Sequence, residues 1–254
     1  MSEPVPIRPA STVMLLRDGT ASASGALEVF VMRRTTSAAF AGGMYVFPGG
    51  KLDDADAQHR TDRPPNVDDA YRLAAIRECF EEAGVLLARD SSGATVGSSH
   101  PIFQYRDAVH DGLVGFGALC AEHGLIPSVD ELPWVAHWVT PEGEEGGRRF
   151  DTRFFVAQAP DDQLLTHDNY ETVDSFWVRP NEALRRHQSG ELIMMPPTIK
   201  NLQFLDGHTS VQDVLLASWA IGTPPRIMPK IRYATDGVRV DGVVLPDEPG
   251  YDAV

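Results

Sequence analysis

Two short stretches of the sequence carry residue types that suit a metal ion and an anionic ligand. The first is FPGGKLDDAD, residues 47–56, and the second is RECFEEAG, residues 77–84. The second stretch predicts the end of a helix, because Gly84 is the residue type that suits the left-handed position after a last helical turn. The helix is predicted to begin near Asn66, which is a good N-cap. The two stretches therefore place a glycine pair ahead of an acidic helix end.

Three glutamates, Glu78, Glu81 and Glu82, share one face of this helix because their spacing is i, i+3 and i+4. The helix dipole favours acidic side chains in the first turn, yet these stand in the last turns, where each costs roughly a few tenths of a kcal/mol. A cation on that face would remove the conflict, whereas the alternative interpretation is a solvated acidic face. The opposite face is predicted to be core. Its residues are Leu73, Ile76, Phe80 and Ala83.

The upstream Phe-Pro-Gly-Gly sequence predicts a stiff turn whose glycines, Gly49 and Gly50, let the backbone approach a ligand closely. Carboxylate and carbonyl oxygens, with water completing the shell, are the ligands that Mg²⁺ or Mn²⁺ prefers. The two stretches together therefore predict a site for Mg²⁺ or Mn²⁺. Gly50 is also predicted to contact the substrate.

Residues 77–85, RECFEEAGV, resemble the second half of the Nudix box, G-x5-E-x7-R-E-U-x-E-E-x-G-U, where U is apolar. Every fixed position of that half is present, with Cys79 at its first U. Asp56 stands where the box has Glu after Gly50, and 20 residues separate it from the box arginine in place of seven. The departures are thus one Asp for Glu and a 13-residue insertion, which we place near residues 57–68.

The resemblance extends over roughly residues 9–220. It is to the subfamily with an elongated box, which includes peroxisomal coenzyme A diphosphatases of animals and bacterial relatives. It implies an α/β (α+β) fold of the Nudix type, an α/β/α sandwich around a mixed sheet. We expect a single domain over residues 1–254. Its expected parts are the box at 49–85, a helical insertion near 100–124 and a C-terminal helical extension near 197–254.

The same resemblance implies roles for the box residues. Glu78, Glu81 and Glu82 correspond to the metal carboxylates, and the carbonyl of Gly49 corresponds to a backbone ligand. Arg77 would be structural, pairing with Glu81 at i+4 and holding its rotamer. Two roles stay open for Asp56: it acts as the box carboxylate at this position, or it only anchors the loop.

A metal-activated water needs a carboxylate that accepts its proton. Nudix proteins often supply this base from a loop outside the box, so Glu171, just before a predicted strand, is the first candidate. The alternative role for Glu171 is to flank that strand. Glu82 is a second candidate, and Glu81 is counted with the catalytic carboxylates. Glu142, Glu144 and Glu145 are weaker candidates in the loop TPEGEEGG.

Arginines that could contact phosphate stand near two predicted strands, since a guanidinium suits bidentate phosphate contact. Arg33 and Arg34 precede the loop that leads to FPGG, with exposed surface charges as their alternative. Arg153 shares a predicted strand face with Arg149 and Asp151. It is a phosphate contact if that face lines the pocket, and otherwise the partner of Asp151 or another acid.

Strands, helices and loops alternate along the chain, which favours a mixed sheet between helices. The strands are predicted at 9–17, 27–33, 44–47, 133–140, 150–158 and 172–178, and residues 51–66 are predicted to be loop. Residues 100–124 are predicted to be helical, as are 180–188, 197–205 and 210–220. The last 30 residues are expected to form irregular strands and a tail.

The composition restricts the class of protein. The formal net charge of −14 argues against a broad nucleic-acid-binding surface, and no run approaches the roughly 18 apolar residues of a membrane helix. Two cysteines, Cys79 and Cys120, make no disulfide framework, so we expect a cytoplasmic protein. The box insertion and residues 100–124 are expected to form a dimer surface or a lid, which makes a homodimer an expectation.

The resemblance implies metal-dependent hydrolysis of a diphosphate bond in a nucleoside diphosphate derivative. The resemblance makes coenzyme A or an acyl-CoA the first substrate, and ADP-ribose or NADH the alternatives. An alternative of another class is a Nudix-fold module that senses nucleotides without turnover. The intact box carboxylates Glu78, Glu81 and Glu82 favour the enzyme, while Asp56 and the insertion are the grounds for the module.

Overall fold

A computed structural model describes residues 5–19, 26–36, 38, 41–58, 67–142, 148–168, 170–234 and 240–253. The strands are β1 (Ile7–Asp18), β2 (Leu27–Arg34), β3 (Tyr45–Val46), β4 (Gly49–Lys51), β5 (Ala88–Arg89), β6 (Ile126–Pro127), β7 (Trp134–Val139), β8 (Arg149–Gln158), β9 (Thr172–Val178), β10 (Arg226–Ile227), β11 (Lys230–Tyr233) and β12 (Val240–Val244). The α-helices are α1 (Asp54–Gln58), α2 (Val67–Ala83), α3 (Arg106–His110), α4 (Phe116–Glu122), α5 (Pro180–Gln188), α6 (Pro196–Asp206) and α7 (Val211–Ile221). Short 3-10 helices cover Pro101–Tyr105, Val129–Glu131 and Tyr251–Ala253.

Eight strands form one mixed sheet in the order β10–β7–β8–β1–β2–β3, with β4 pairing with β1 and β9 pairing with β2. Strand β1 is parallel to β8 from Ile7 to Leu16, while it is antiparallel to both β2 and β4. Over residues 10–12, β4 with its glycine pair and β8 therefore flank β1 on opposite edges. Two further pairs, β5–β6 and β11–β12, form small separate sheets.

Alternate side chains of β1 enter two different cores, as the period of two in a strand requires. Val13 and Leu15 pack in the core that contains α2 and α4, whereas Met14 and Leu16 pack in the core that contains α5, α6 and α7. Helices thus cover both faces of the sheet. This arrangement confirms the predicted α/β/α sandwich with a mixed sheet.

Helix α2 has the predicted core face, because Leu73, Ile76, Phe80 and Ala83 are all buried. The helix ends as predicted before Gly84, whose φ is +67° and whose amide donates to the carbonyl of Phe80 over 3.2 Å. Its predicted cap, Asn66, lies outside the described residues.

Three predicted segments differ from the observed elements. Residues 51–66 are not all loop, since Asp54–Gln58 forms α1 against α2, and residues 59–66 of the proposed insertion lie outside the described part of the chain. The expected helix over 100–124 is divided by a turn at Gly112, whose φ is +69°. The end of the chain contains the β11–β12 hairpin. Among the described residues, no helix has the length and apolar character needed to cross a membrane.

Candidate functional site

The acidic face of α2 is covered by other elements of the protein, so it is not a solvated face. Glu82 is 3% exposed and Glu81 is 7% exposed, while β4 and α1 both pack against α2. A buried carboxylate is costly unless it is paired or hydrogen-bonded, so each of these side chains needs partners. The contacts of Glu78, Glu81 and Glu82 therefore define the site.

The glycine pair lies close to two of these carboxylates. The amide of Gly49 donates to Glu82 Oε2 over 2.8 Å. A Cβ at Gly49 would overlap the carbonyl oxygen of Ser11, and a Cβ at Gly50 would overlap the carboxylate of Glu78. Only glycine allows β4 to run this close to both β1 and α2. The use of the Gly49 carbonyl as a metal ligand and of Gly50 as a substrate contact stays a prediction.

Arg77 holds the surrounding acidic residues in place. Its Nη1 donates to Glu78 Oε1 over 2.9 Å and to Glu81 Oε1 over 3.0 Å. Its Nη2 donates to the carbonyl of Lys51 over 2.8 Å and to Asp56 Oδ2 over 3.0 Å. The pairing of Arg77 with Glu81 has the predicted i, i+4 geometry.

Asp56 is 3% exposed, and it accepts hydrogen bonds from Arg77 and from the amide of Asp53. Its carboxylate therefore fastens α1 and the start of the proposed insertion to α2. Of the two roles that the sequence left open, these contacts favour the anchor. The shorter Asp side chain still reaches Arg77, which explains how it can stand at a position where the box has Glu.

Glu171 reaches the box through Arg34. Arg34 Nη2 donates to Glu171 Oε2 over 2.7 Å, and its Nη1 lies 3.7 Å from Glu82 Oε1. Asp168 organises the loop that presents Glu171, because its Oδ1 accepts from the amides of Tyr170, Glu171 and Thr172 over 2.9–3.1 Å. A role for Asp168 was not predicted from the sequence. The signal that could have indicated it is an Asp at the start of a turn, where its side chain accepts hydrogen bonds from the backbone amides that follow.

The buried carboxylates have perturbed proton affinities. Burial raises the pKa of Glu78 to about 7, against the opposing effect of Arg77, and the charge of Glu81 raises it further. Burial also raises the pKa of Glu82 well above its ordinary value, and the nearby charge of Glu78 adds to the effect while Arg34 opposes it. Two carboxylates that each resist ionisation in the presence of the other form a site that a divalent cation would stabilise.

Glu81 shares Arg77 with Glu78 but has a further neighbour on α3. Its Oε1 accepts from Arg77, and its Oε2 lies 3.9 Å from Nδ1 of His110 on α3. His110 in turn stacks on Tyr170, with ring centroids 5.5 Å apart. Burial raises the pKa of Glu81, and Arg77 opposes that rise. Glu81 does not line the cavity described below, and its metal and catalytic roles stay predictions.

Arg106, at the start of α3, caps the end of α2 from outside the helix. Its Nε donates to the carbonyl of Glu81 over 2.8 Å, and its Nη2 donates to the carbonyl of Thr166 over 3.0 Å. A cation at a helix C-terminus interacts favourably with the dipole. Arg106 thus offsets part of the repulsion between the acidic side chains of α2 and the negative end of its helix dipole. In the prediction from sequence, a metal ion alone had that role.

A cavity of about 1250 Å³ opens beside these carboxylates. Its acidic lining residues are Glu78, Glu82 and Glu171, and its cationic lining residues are Arg8, Arg34, Lys51 and Arg148. Part of the apolar wall comes from the residues around the start of α6 and from those in and just before the β11–β12 hairpin. It includes Met194, Met195, Pro196, Pro197, Pro229, Ile231 and Val243. The cavity therefore has the mixed character needed for a ligand with both anionic and apolar parts.

Two predicted phosphate contacts do not line this cavity. Arg153 lies on the other face of β8, where its guanidinium packs over Tyr71 and Trp134 and pairs with Asp68 on α2. Its pairing with an acid, the alternative that the sequence left open, is what the structure contains. Arg33 is exposed and absent from the cavity lining, because neighbouring residues of β2 face opposite sides and Arg34 takes the inward position.

The weaker base candidates are also removed from the cavity or not described. Glu142 is largely exposed and pairs with Arg149 over 3.4 Å. Glu144 and Glu145 lie outside the described residues. Of the carboxylates proposed as a base, Glu171 and Glu82 are the two that line the cavity.

The donor set fits a hard divalent cation in its chemistry. Within the described ranges no three His, Cys, Asp or Glu side chains are arranged to hold a metal ion, because Glu81 pairs with Arg77 and Arg34 lies between Glu82 and Glu171. Glu78 and Glu82 nevertheless face the same cavity, and both have raised pKa values because they are buried. Such paired oxygen donors suit Mg²⁺ or Mn²⁺, with water and substrate oxygens completing the shell.

The chain is similar to known proteins in sequence and in fold. The curated acyl-coenzyme A diphosphatase NUDT19 of Gallus gallus is 28% identical over 88% of this chain and 74% of its own length. The Homo sapiens protein of the same name is 30% identical over 74% of this chain and 53% of its own length. A crystal structure of a Nudix hydrolase from Alicyclobacillus acidocaldarius superposes with a TM-score of 0.73 at 28% identity, covering 84% of this chain and 96% of that one.

The family model described as the NUDT19 Nudix domain matches residues 57–205, which is more than half of the 254-residue chain. The match contains α2 with its three glutamates and the loop that carries Asp168 and Glu171. The chain therefore belongs to the Nudix hydrolases, in the family defined by the NUDT19 Nudix domain.

Proposed function

We propose that this protein is a metal-dependent diphosphatase whose substrate is coenzyme A or an acyl-CoA. The observation that carries the proposal is the position of Glu78 and Glu82 at the cavity, with Glu171 held beside them by Arg34. A bound divalent cation would neutralise charge on the diphosphate and lower the pKa of a water molecule. Mg²⁺ and Mn²⁺ are the cations that the oxygen donors favour.

In this proposal Glu78 and Glu82 hold the cation, and the amide of Gly49 keeps the carboxylate of Glu82 in position. Arg77 holds the carboxylate of Glu78 in position by donating a hydrogen bond to its Oε1. Glu81, which does not line the cavity, supports the site through Arg77 unless it changes rotamer on metal binding. These side chains position charge before the substrate arrives, which is the main requirement of phosphoryl transfer.

Glu171 is proposed as the base that accepts the proton from the attacking water. Its side chain is 48% exposed at the cavity, so it can exchange that proton with solvent after the reaction. The water oxygen forms a bond to phosphorus as the bridging anhydride bond breaks, and the leaving phosphate takes the bond electrons. Hydrolysis of coenzyme A in this way gives adenosine 3′,5′-bisphosphate and 4′-phosphopantetheine.

The choice of substrate is supported by the relatives and by the cavity. The curated relatives named above are acyl-coenzyme A diphosphatases, and the cavity combines cationic residues with an apolar wall. An acyl-CoA carries several phosphates at one end and an apolar chain at the other. ADP-ribose and NADH carry a second ribose in place of the pantetheine arm of coenzyme A, so they would bring a polar sugar to the apolar wall.

The test is product release from coenzyme A, acetyl-CoA, ADP-ribose and NADH with Mg²⁺ or Mn²⁺, measured beside Glu82→Gln. We expect coenzyme A or acetyl-CoA to be cleaved, with a loss of roughly 100-fold or more in kcat for Glu82→Gln. Glu122→Gln, on the exposed end of α4, is the matched control. Binding of these ligands without turnover would support the sensory module instead. Preferential cleavage of ADP-ribose would mean that ADP-ribose is the substrate in place of coenzyme A.

The cytoplasmic location and the homodimer remain predictions from the sequence. A single domain over residues 1–254 is supported by the sheet, whose two faces contribute to the two cores. Light scattering of the purified protein tests the dimer, and cell fractionation tests the location.

A further inference from the structure

Three cations at the cavity have no role in the site described above. They are Arg8, Lys51 and Arg148. None of their side chains forms a hydrogen bond or an ion pair with another residue in the described part of the chain, whereas Arg34, Arg77 and Arg153 are all paired with carboxylates. In a protein with a net charge of −14, unpaired cations collected at one cavity indicate a place for an anion.

Strand pairing brings these three residues together from separate parts of the chain. Arg8 of β1 is opposite Phe150 of β8, and Arg148 directly precedes that strand. Lys51 of β4 is opposite Ala10 of β1, two residues from Arg8 on the same strand face. The three side chains therefore stand around the same end of the cavity.

This cationic end is separated from the carboxylates. Thr12 of β1 is opposite Gly49, the residue whose amide binds Glu82, so Thr12 marks the carboxylate end of the cavity. Arg8 is four residues from Thr12 along the strand, which is about 13 Å at the usual rise per residue. Arg148 stands at the same end, because the residue after it pairs with Ile7. Lys51 directly follows Gly50 beside Glu78, so the separation from the scissile diphosphate rests on Arg8 and Arg148. These two cations mark a second location for negative charge, which Lys51 borders.

We propose that Arg8, Lys51 and Arg148 form a second anion subsite that binds a phosphate monoester carried by the nucleotide, the phosphate on its ribose 3′ oxygen. The inference rests on the proposed function, because the diphosphate of the same ligand must lie at the carboxylates. A ribose 3′-phosphate is separated from the 5′-diphosphate by several bonds, which suits two subsites in one cavity. Free guanidinium and ammonium groups are the partners that a phosphate dianion prefers.

The subsite gives the cavity a basis for selecting among nucleoside diphosphate derivatives. Coenzyme A carries a 3′-phosphate, whereas ADP-ribose, NADH and dephospho-CoA do not. A ligand without that group would leave the three cations unpaired and gain nothing from them. The selection therefore operates through binding of the nucleotide half and is independent of the acyl chain.

The experiment compares coenzyme A with dephospho-CoA in the wild type, in Arg8→Gln/Arg148→Gln and in Lys51→Gln. We expect the wild type to have a KM about 10-fold lower for coenzyme A, as one charge-assisted contact typically provides. In the double variant the KM for coenzyme A should rise until it equals the KM for dephospho-CoA. The KM for dephospho-CoA and the kcat for both substrates should stay unchanged. Lys51→Gln should reduce the difference in part. Equal effects on both substrates, or none on either, would overturn the subsite.

Arg179→Gln is the matched control, because Arg179 is exposed and does not line the cavity. Calorimetric binding of adenosine 3′,5′-bisphosphate and of AMP keeps the test independent of turnover. Adenosine 3′,5′-bisphosphate should bind the wild type about 10-fold more tightly than AMP does. The two nucleotides should bind the double variant with equal affinity. If neither coenzyme A nor dephospho-CoA is hydrolysed while this binding difference holds, the proposed activity fails and the subsite stands. Equal binding of the two nucleotides to the wild type would reject the subsite itself.

Discussion

Arg77 and Asp56 form a buried ion pair, with Nη2 and Oδ2 3.0 Å apart, although the two residues are 21 positions apart in the chain. The pair fastens α1 to α2 on either side of residues 59–66, which lie outside the described residues. The same guanidinium also contacts Glu78, Glu81 and the carbonyl of Lys51. A single arginine thus joins the proposed metal carboxylate Glu78, the glycine strand β4 and the segment before the insertion.

Replacing Arg77 by Met should therefore destabilise the fold. Burial lowers the pKa of Arg77, but Glu78, Asp56 and Glu81 more than compensate and raise it, so the guanidinium stays charged. Its removal would leave buried carboxylates without their cation, at a cost of about 3–5 kcal/mol. Urea denaturation measures the free energy of unfolding.

The control for this change is Arg185→Met, since Arg185 pairs with Glu182 on the solvent face of α5. Exposed pairs of this kind contribute little because water and salt screen them. We expect no measurable change in unfolding. An Arg77→Met protein as stable as Arg185→Met would contradict the structural role of the Arg77 network.

The two glycines of the FPGG turn should respond differently to alanine. A Cβ at Gly49 meets the backbone of Ser11 and Thr12, which cannot move without shifting β1, so Gly49→Ala should lose about 1–3 kcal/mol of stability. A Cβ at Gly50 meets only the carboxylate of Glu78, which can rotate away. Gly50→Ala should fold normally and lose roughly 10- to 100-fold in Mn²⁺ affinity.

Calorimetric Mn²⁺ binding and thermal unfolding separate these two outcomes. Gly115→Ala is the control, because a Cβ there meets nothing within 4 Å and the φ of Gly115 is −74°. Unchanged Mn²⁺ affinity in Gly50→Ala would mean that Glu78 does not hold the cation in its present position.

Local patterns in the sequence predicted α2, its core face and the glycine turn, because each depends on spacing within a few residues. They predicted that Glu81 pairs with Arg77, but not that its other oxygen lies near His110, because the packing of α3 against α2 positions that histidine. They also placed Arg153 at the pocket, because alternation along β8 does not say which face meets the cavity. Arg8, Lys51 and Arg148 became neighbours only through strand pairing. Pairing between distant strands leaves no local signal for one sequence to reveal.

Asp168 should act as a positioning residue for Glu171. Its Oδ1 accepts from three successive backbone amides and from the hydroxyl of Thr172. Asp168→Ala removes these bonds and should lower kcat roughly 10-fold, because a misplaced base transfers protons poorly. Asp168→Asn keeps an oxygen acceptor and should restore most of the activity.

Steady-state kinetics with coenzyme A, beside Glu171→Gln, test this role. The double variant Asp168→Ala/Glu171→Gln should be no slower than Glu171→Gln alone, since both changes act on the same carboxylate. Additive losses would show that Asp168 acts on catalysis by a route other than Glu171. Equal activities of Asp168→Ala and the wild type would remove the positioning role.

The stabilisation of the protein by Mn²⁺ should grow as the pH rises from 5.5 to 8. Burial raises the pKa of Glu78 to about 7, with the charge of Glu81 adding to the rise and Arg77 opposing it. Burial also raises the pKa of Glu82 above its ordinary value, with the charge of Glu78 adding to the rise and Arg34 opposing it. A carboxyl whose folded pKa is raised stabilises the fold fully below its unfolded pKa, and that stability is lost as the pH rises through the folded pKa. The metal-free protein should therefore lose this stability between about pH 4.5 and 7.

A cation binds the ionised carboxylates, so it competes with protons at low pH and offsets their repulsion at high pH. The difference in Tm with and without Mn²⁺ isolates this effect, because titration of groups that do not contact the metal cancels. We expect a small difference at pH 5.5 and a larger one at pH 8. In Glu82→Gln the difference should be small at both values, since one carboxylate of the pair cannot ionise. A difference that is constant with pH in the wild type would mean that Mn²⁺ binds away from Glu78 and Glu82.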